Sequence, residues 1–243
     1  MWTDRPAGTH SQPDAGWRLP TQCEICRQWD RQRFCQRCVA GFAPAHGRCR
    51  RCALRLAGGI ELCGDCVREP PPFACTLCAV DYTFPWDRLI ADFKFHDRPE
   101  LAGPMSRLML QAASSLMSDM PTSALLVPVP LSAARLAERG YNQAWELARR
   151  LARATGLRAM PQALERVVDT RHQAELDRAQ RITNLRSAFL VPAAARGNLE
   201  GQHVLLVDDV VTTGATAREA ALTLLRAGAG RVDLWVLART GTD

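Results

Sequence analysis

The chain has 243 residues, of which 47% are hydrophobic, and its formal net charge is +6. This length allows one substantial domain and a smaller one, and the hydrophobic share is sufficient for a packed core. The positive charge points only weakly to a polyanionic partner, because the excess is modest and spread along the chain. The basic character is almost wholly arginine, since Lys94 is the only lysine.

Residues 1–20 are polar and rich in proline and glycine, and we expect them to form a disordered N-terminal segment. They contain no apolar signal-peptide core, and no later segment has the roughly 18 apolar residues needed to cross a membrane. We therefore expect a cytoplasmic protein without a membrane span, and the sequence does not indicate its oligomeric state. Disulfides are not expected in that reducing compartment.

The ten cysteines form five CxxC pairs between residues 23 and 78. One CxxC supplies two thiolates from one tight turn, and two such turns complete a tetrahedral, all-sulfur zinc site. The first four pairs predict structural sites for one or two zinc ions, two if every pair is used. Their ligands would be Cys23, Cys26, Cys35, Cys38, Cys49, Cys52, Cys63 and Cys66. Sequential and interleaved pairings of these four pairs both remain open.

The fifth pair, Cys75 and Cys78, has no partner pair, and we assign both residues as core thiols, with a redox role for one CxxC still open. The stretch "PPPF" at residues 70–73 then predicts a domain boundary. A small cysteine-rich module (21–70) would precede a larger α/β domain (71–243). With separate cores, replacing Cys23 and Cys26 should unfold the module and spare the larger domain.

The larger part alternates apolar runs with helical patterns. A short buried strand at residues 124–130 precedes a helical pattern from about 131 to 155, which Gly156 ends, and a polar, arginine-rich stretch follows at 165–186. Then come the strand "HVLLVDDV", the helix "TAREAALTLLRAG" and the strand "RVDLWVLAR". Continuous apolar strands that alternate with helices predict a parallel sheet covered on both faces, with ligands at the strands' carboxyl ends.

The stretch "VLLVDDVVTTGAT" (204–216) places two acids and a small, hydroxyl-rich loop at such a strand end. The loop opens a helix, where backbone N–H groups and hydroxyls favour a phosphate. Asp208 and Asp209 would accept hydrogen bonds from hydroxyls of the sugar that carries it, or hold a divalent ion through water. The alternative is a strand capped by an Asx turn, with a threonine as an ordinary N-cap.

This stretch resembles the phosphoribosyl pyrophosphate (PRPP) motif of type I phosphoribosyltransferases. The resemblance implies an α/β fold with a type I phosphoribosyltransferase-like parallel sheet and flanking helices, and it implies binding of PRPP with Mg²⁺. Asp208 and Asp209 would be the catalytic pair on the ribose 2- and 3-hydroxyls. The 5-phosphate would lie in the loop formed by Thr212, Thr213, Gly214, Ala215 and Thr216.

In that fold the pyrophosphate lies against an earlier strand-end loop. The matching residues here are Val129, Pro130, Leu131, Arg135 and Arg139. Arginine forks suit a polyphosphate because they donate two parallel hydrogen bonds. The alternative is that both arginines only solvate a helix face.

Three further stretches are similar to the ComF family of competence-associated proteins: residues 89–102 ("LIADFKFHDRPELA"), 127–144 ("VPVPLSAARLAERGYNQA") and 166–189 ("RVVDTRHQAELDRAQRITNLRSAF"). With the cysteine pairs, the similarity covers nearly the whole chain after residue 20. The third stretch resembles the mobile lid that keeps water from an oxocarbenium-like sugar intermediate. Its lid residues would be Arg166, Thr170, Gln173, Arg181 and Asn184. The alternative is a solvated, charged loop or helix.

The family resemblance implies a PRPP-binding protein that serves DNA uptake and natural transformation. Single-stranded DNA and the uptake machinery would be its partners, and a zinc-ribbon module would assist in handling the DNA. Backbone contacts would come from arginines of the module, namely Arg27, Arg31, Arg37, Arg48 and Arg51. Two alternatives use the same sugar-phosphate residues: a transferase that moves phosphoribose to an unidentified nitrogenous acceptor, and a regulator that senses PRPP.

Overall fold

A computed structural model describes residues 20–167 and 188–241 of the protein. The predicted disordered segment falls almost wholly outside these residues. The strands are β1 (Thr21–Gln22), β2 (Trp29–Asp30), β3 (Thr76–Asp81), β4 (Leu125–Pro128), β5 (Arg158–Ala159), β6 (Glu165–Arg166), β7 (Phe189–Leu190), β8 (His203–Val211) and β9 (Arg231–Arg239). The α-helices are α1 (Gln36–Phe42), α2 (Gly64–Arg68), α3 (Trp86–Phe95), α4 (Ala102–Ala113), α5 (Ala133–Arg139), α6 (Gln143–Thr155), α7 (Ala193–Leu199) and α8 (Ala215–Arg226).

The main sheet has five strands in the order β3-β9-β8-β4-β5. Each neighbouring pair in this sheet is parallel, as predicted from the continuous apolar runs. The predicted strands at residues 124–130, 203–210 and 231–239 are β4, β8 and β9, and β8 is the central strand, between β9 and β4. The prediction of an α/β fold with a parallel sheet is confirmed.

Helices cover both faces of this sheet. Along β8, Val204 and Leu206 point into one buried cluster with α7 and α8, while Leu205 and Val207 point into a second cluster with α3, α4 and α6. The period of two along a strand explains this alternation, because successive side chains leave the sheet on opposite faces. Within the described part of the chain, no helix has the length and apolar character that crossing a membrane requires.

Residues 131–155, for which the sequence predicted one continuous helix, form two helices, so that prediction was wrong. Helix α5 ends at Gly140, which has a left-handed φ of 76°, and α6 begins after the N-cap Asn142. A left-handed residue at the helix end favours glycine because it carries no Cβ. Gly156 ends α6 in the same way, as predicted, with a φ of 74°.

The cysteine-rich module and the sheet share buried side chains. Phe34 of the module lies in the same cluster as Trp86 of α3, at 5.2 Å between ring centroids and with an edge-to-face geometry. The Trp86 Nε1–H also donates to the backbone oxygen of Phe42 at 2.6 Å. On the other face of the sheet, Ala53 and Phe73 belong to the cluster that α7 and α8 cover. The expectation of separate cores was wrong, whereas the boundary near residues 70–73 stays a prediction.

Glu24 adds an ionic connection between the module and the sheet domain. Its buried carboxylate accepts hydrogen bonds from Arg98 at 2.7 Å and from Arg33 at 2.8 Å. Burial alone would raise the pKa of Glu24, but the two guanidinium groups hold that pKa below its ordinary value. Arg98 lies just beyond α3, so the network ties the first cysteine turn to that helix.

We expect Glu24→Gln to destabilise the fold by about 1–3 kcal/mol at pH 7, because two charge-assisted hydrogen bonds weaken while solvent partly screens the arginines. The lowered pKa of Glu24 stabilises the fold above the carboxyl's unfolded pKa, and that stability is lost as the pH falls. Denaturant unfolding at pH 7 and at pH 3.5 measures the difference. Glu69→Gln, at an exposed carboxylate, is the matched control. Equal effects of the two substitutions at pH 7 would contradict the prediction.

Candidate functional site

The pairing of β4 with β8 ends at a crevice at the carboxyl end of β4. Pro128 lies opposite Val207, and the Val129 N–H donates to the backbone oxygen of Val207 at 2.9 Å. Beyond that point β8 continues against β9 alone, with Asp208 opposite Val236. The chain passes to opposite faces of the sheet after β4 and β8, so the crevice is a topological switch point, where open parallel sheets bind ligands.

A cavity of 140 Å³ occupies this crevice. It brings together Asp208, Asp209 and Thr216 from β8 and α8 with the strand-end loop Val129, Pro130 and Leu131. Four cationic side chains also line the cavity: Lys94, Arg135, Arg139 and Arg166. The predicted acids, the predicted pyrophosphate loop and the first predicted lid residue therefore lie around one cavity.

Asp209 forms an ion pair with Lys94. The lysine Nζ lies 2.9 Å from the carboxylate Oδ1, and both side chains are largely removed from solvent. Lys94 lies on α3, which packs against the face of the sheet toward which Leu205 and Val207 of β8 point. Lys94 was not among the site residues predicted from the sequence, where its one signal is that it is the only lysine in an arginine-rich chain.

Asp208 is in a different electrostatic state. Removal from water and the adjacent Asp209 carboxylate together raise its pKa to about 7, although Lys94, the Asp209 N–H and Arg166 oppose the shift. Two neighbouring carboxylates thus differ: Asp209 is paired with a cation, and the pKa of Asp208 is raised. A ligand that brings cations or hydroxyl donors to Asp208 would favour its ionised form.

The hydroxyl-rich loop begins helix α8 as predicted, but its N-cap is Gly214 and not a threonine. Gly214 has a φ of 79°, and an added Cβ would meet the Val211 side chain only at 3.8 Å, so the backbone conformation is what favours glycine. Because the N-cap residue Gly214 has no side chain, the first N–H groups of α8 receive no hydrogen bond from an N-cap side chain. Thr212 and Thr213 are exposed, and the Thr213 hydroxyl accepts from the Ala215 N–H at 3.4 Å. The threonine hydroxyls before α8 thus face solvent. Together with the N–H groups at the start of the helix, they suit the binding of an anion.

Helices α5 and α6 supply donors on the opposite side of the cavity. Arg139 donates through Nη1 to Gln143 Oε1 at 3.1 Å and stacks over Phe95, 4.7 Å from the ring centroid. Within the described residues, Arg139 Nε and Gln143 Nε2 are buried donors without a hydrogen-bond partner. Asn142 donates to the Val129 oxygen at 3.0 Å and so fixes the strand-end loop. Unpartnered buried donors are costly, and an anion in the cavity would satisfy them.

Only the first of the predicted lid residues can be placed. Arg166 lies on β6, which pairs antiparallel with β7, and its guanidinium lies 5.5 Å from the centroid of the Phe189 ring. Thr170, Gln173, Arg181 and Asn184 lie outside the described residues. The lid stays a prediction.

The first eight cysteines form two groups of four that could each hold a metal ion. The sulfurs of each group lie within 4.8 Å of one another, with Cys26 and Cys35 at 3.8 Å and Cys52 and Cys63 at 3.6 Å. Zinc–sulfur bonds of about 2.3 Å in a tetrahedron place sulfurs about 3.8 Å apart, so the donors fit zinc. The groups are Cys23, Cys26, Cys35 and Cys38, and Cys49, Cys52, Cys63 and Cys66. The pairing is sequential, and the interleaved alternative is excluded.

The two cysteine groups are built alike. A left-handed residue follows the first CxxC of each group: Arg27 with a φ of 61° and Ala53 with a φ of 58°. The Cys35 N–H points to the Cys23 sulfur at 3.4 Å, and the Cys63 N–H points to the Cys49 sulfur at 3.3 Å.

Hydrogen bonds from backbone N–H groups favour two of these thiolates. They lower the pKa of Cys26 to about 6, chiefly through the Gln28 N–H. For Cys49 they outweigh burial and lower the pKa to about 7. Burial instead raises the pKa of Cys38, Cys52 and Cys66.

The fifth pair does not join these groups. Cys78 is buried on β3, and burial raises the pKa of its thiol to about 11, so its assignment as a core thiol is correct. Cys75 precedes that strand and is only half-buried, with its pKa also raised by burial. A raised pKa disfavours the reactive thiolate, which argues against a redox role for this pair.

The chain is similar to proteins of known families. Residues 136–243 match the family model described as "Phosphoribosyl transferase domain". The "DNA utilization protein YhgH" of Salmonella typhimurium is 35% identical over 232 residues, which cover 91% of this chain and 98% of that protein. The protein of the same name in Escherichia coli is 33% identical with the same coverage. "Competence protein F" of Haemophilus influenzae is 30% identical over 84% of this chain and 88% of its own length.

The parallel sheet, the acids at the β8 strand end and the family match define a protein with a phosphoribosyltransferase fold, preceded by a module with two four-cysteine groups. Its relatives narrow the class further, because their matches cover 91% and 84% of the chain, which is more than the sheet domain alone. The chain belongs to the ComF family.

Proposed function

We propose that the protein binds PRPP with Mg²⁺ in the cavity between β4 and β8. The observation that carries this proposal is the meeting of two acids, Thr216 from the first turn of α8 and four cations around one space of 140 Å³. PRPP has the complementary parts: a 5-phosphate, two ring hydroxyls and a pyrophosphate. Few other small molecules need anion donors at two ends and carboxylates between them.

Each part of the ligand has a matching group. The turn of Thr212 to Thr216 receives the 5-phosphate through backbone N–H groups and hydroxyls. Asp208 and Asp209 accept hydrogen bonds from the ribose hydroxyls. The loop Val129 to Leu131 and the donors of Arg135, Arg139 and Gln143 receive the pyrophosphate. Bound Mg²⁺ would neutralise pyrophosphate charge, and the carboxylates beside the cavity are the oxygen donors such an ion prefers.

Transfer of the phosphoribosyl group is the chemistry this arrangement would favour, if the protein is a catalyst. Cationic donors on the pyrophosphate stabilise the negative charge that develops as it leaves, and the carboxylates hold the sugar in place. A segment that begins at Arg166 and closes over the sugar would keep water away from the electron-deficient carbon. A regulator that senses PRPP would need the same contacts without the transfer.

Calorimetry with PRPP and Mg²⁺ tests the binding proposal, and ribose 5-phosphate serves as the comparison ligand. We expect PRPP to bind at least about tenfold more tightly, because its pyrophosphate engages the arginines and Gln143 through charge-assisted hydrogen bonds. Pyrophosphate release in the presence of a panel of nitrogenous bases then separates a transferase from a sensor. No PRPP binding by the intact protein would refute the proposal.

The cellular role we propose is DNA uptake or utilisation, on the basis of the names of the YhgH and competence relatives. Supporting this are the exposed arginines of the module, Arg27, Arg31 and Arg37. Arg48, which we expected to contact DNA, is instead ion-paired with Asp81 at 2.7 Å. Of the module's three aromatic residues, Trp29 and Phe42 are exposed and Phe34 is buried, so two rings are available for base stacking. The set of free thiols fits a reducing compartment, and we place the protein in the cytoplasm.

If the module contacts DNA, single strands should bind with little sequence preference and with an affinity that falls steeply with salt. Arg27→Glu with Arg37→Glu should weaken binding and reduce the salt slope by about 0.7 for each lost phosphate contact. The measurement is a salt titration of a fluorescent oligonucleotide. Arg153→Glu with Arg226→Glu, exposed positions on helices of the sheet domain, makes the same charge change as a control. Equal losses of DNA affinity in the two double variants would mean that only net charge matters. They would contradict DNA contact by the module.

A further inference from the structure

The second cysteine group lies beside the phosphate loop. A small cavity of 110 Å³ separates them. Cys52, Cys63 and Cys66 line one side of it, and Thr213 and Gly214 line another. A metal held by this group would therefore be a neighbour of the turn to which we assign the 5-phosphate.

Arg239 connects the two sites. It is the last residue of β9, and only 7% of its surface is exposed. Its Nε donates to the backbone oxygen of Cys52 at 3.1 Å, and its Nη1 lies 3.4 Å from the backbone oxygen of Val211 and 2.7 Å from that of Thr240. Cys52 is a ligand residue of the second group, and Val211 is the last residue of β8 before the phosphate loop.

The planar guanidinium makes this connection stiff. Its N–H groups have a fixed relative geometry, so the positions of the Cys52 and Val211 carbonyls are set with respect to each other. The Thr240 N–H also donates to Val211 at 3.1 Å, which holds the same strand end from a second direction. By contrast, the ion pair between Arg218 and Glu69 is long and exposed at 3.5 Å, and it contributes little.

We propose that Arg239 is a positioning residue that couples the second cysteine group to the phosphate loop, so that a metal in this group raises the affinity for the sugar phosphate. This inference rests on the proposed binding of PRPP. Four sulfur–metal bonds would fix the turn that carries the Cys52 carbonyl, and Arg239 would pass that constraint to Val211. The coupling is reciprocal, so the sugar phosphate would also tighten metal binding.

The test compares Arg239→Met with Arg231→Met, which alters the first residue of β9, at the other end of the same strand. The readouts are metal content, PRPP affinity and hydrogen exchange of residues 209–216. We expect Arg239→Met to keep its metal, to lose about tenfold in PRPP affinity and to exchange faster in the loop, because a buried charged donor to three carbonyls is gone. Arg231→Met should leave the loop and the affinity unchanged.

If Arg239→Met does not fold, Cys52→Ser in the second group and Cys26→Ser in the first provide the comparison. We expect the second-group variant alone to weaken PRPP binding and to speed loop exchange. PRPP affinity within twofold of the unmodified protein, with unchanged exchange, in Arg239→Met or in Cys52→Ser overturns the coupling. If the unmodified protein does not bind PRPP, the proposed function fails, and the loop exchange still decides whether Arg239 positions the loop.

Discussion

Asp208→Asn combined with Asp209→Asn is expected to abolish PRPP binding, with a loss of at least about a hundredfold in affinity. Each carboxylate would accept a hydrogen bond from a ribose hydroxyl, and a hydrogen bond to a charged group contributes about 1.5–3 kcal/mol. An asparagine keeps the size of the side chain but removes its charge. Calorimetry with PRPP and Mg²⁺ measures the loss, and Asp119→Asn, at an exposed position, is the control. An unchanged affinity in the double variant would remove the sugar-binding role of the acids.

The single variants should affect stability in opposite directions. The raised pKa of Asp208 means that the folded protein binds a proton more tightly than the unfolded chain, so ionisation of Asp208 destabilises the fold as the pH rises from about 4 to 7. Asp208→Asn should therefore raise the melting temperature at pH 8 and change it little at pH 4. Asp209→Asn should lower it at pH 8, because Lys94 loses its carboxylate partner. Shifts of the same sign at pH 8 would contradict this division between the two acids.

Metal removal is the second large effect. We expect about two zinc ions per chain, and their removal should unfold the module and also lower the melting temperature of the sheet domain. A structural zinc site contributes on the order of 10 kcal/mol, which is comparable with the whole stability of a domain. The sheet domain is affected because Phe34 and Trp86 share one buried cluster.

Elemental analysis gives the zinc count, and thermal unfolding with and without a chelator gives the stability. Restoring zinc after chelation controls for irreversible damage. One ion per chain would mean that one of the two cysteine groups is not filled. If the sheet domain melts at the same temperature without metal, loss of zinc from the module does not destabilise the sheet domain through the shared cluster.

The sequence predicted the elements whose signals are local. The apolar runs predicted β4, β8 and β9, which are the three inner strands of the sheet, and the CxxC spacing predicted sites for one or two metal ions. The break between α5 and α6 had readable signals too, since Gly140 and Asn142 suit a helix end and a helix start. The apolar periodicity of the surrounding residues hid them, because it continues with little change across the break.

Contacts between distant segments could not be predicted in this way. The Lys94–Asp209 pair depends on which helix covers β8, and the Glu24–Arg98 pair depends on how the module packs. Nor does composition distinguish sequential from interleaved cysteine pairing. Such contacts follow from strand order and packing, which a period of two or 3.6 residues does not encode.

Because Lys94 is the only lysine of the chain and lines the candidate cavity, its amine is a unique site for a spectroscopic label there. Reductive methylation with ¹³C-formaldehyde would modify this amine and the N-terminus alone, and it keeps the positive charge. The N-terminal signal can be recognised by its lower pKa. The remaining methyl resonance would report on the ammonium that faces Asp209. A ligand that draws the carboxylate away would shift this single line, which allows a compound library to be screened by one-dimensional NMR without a known reaction.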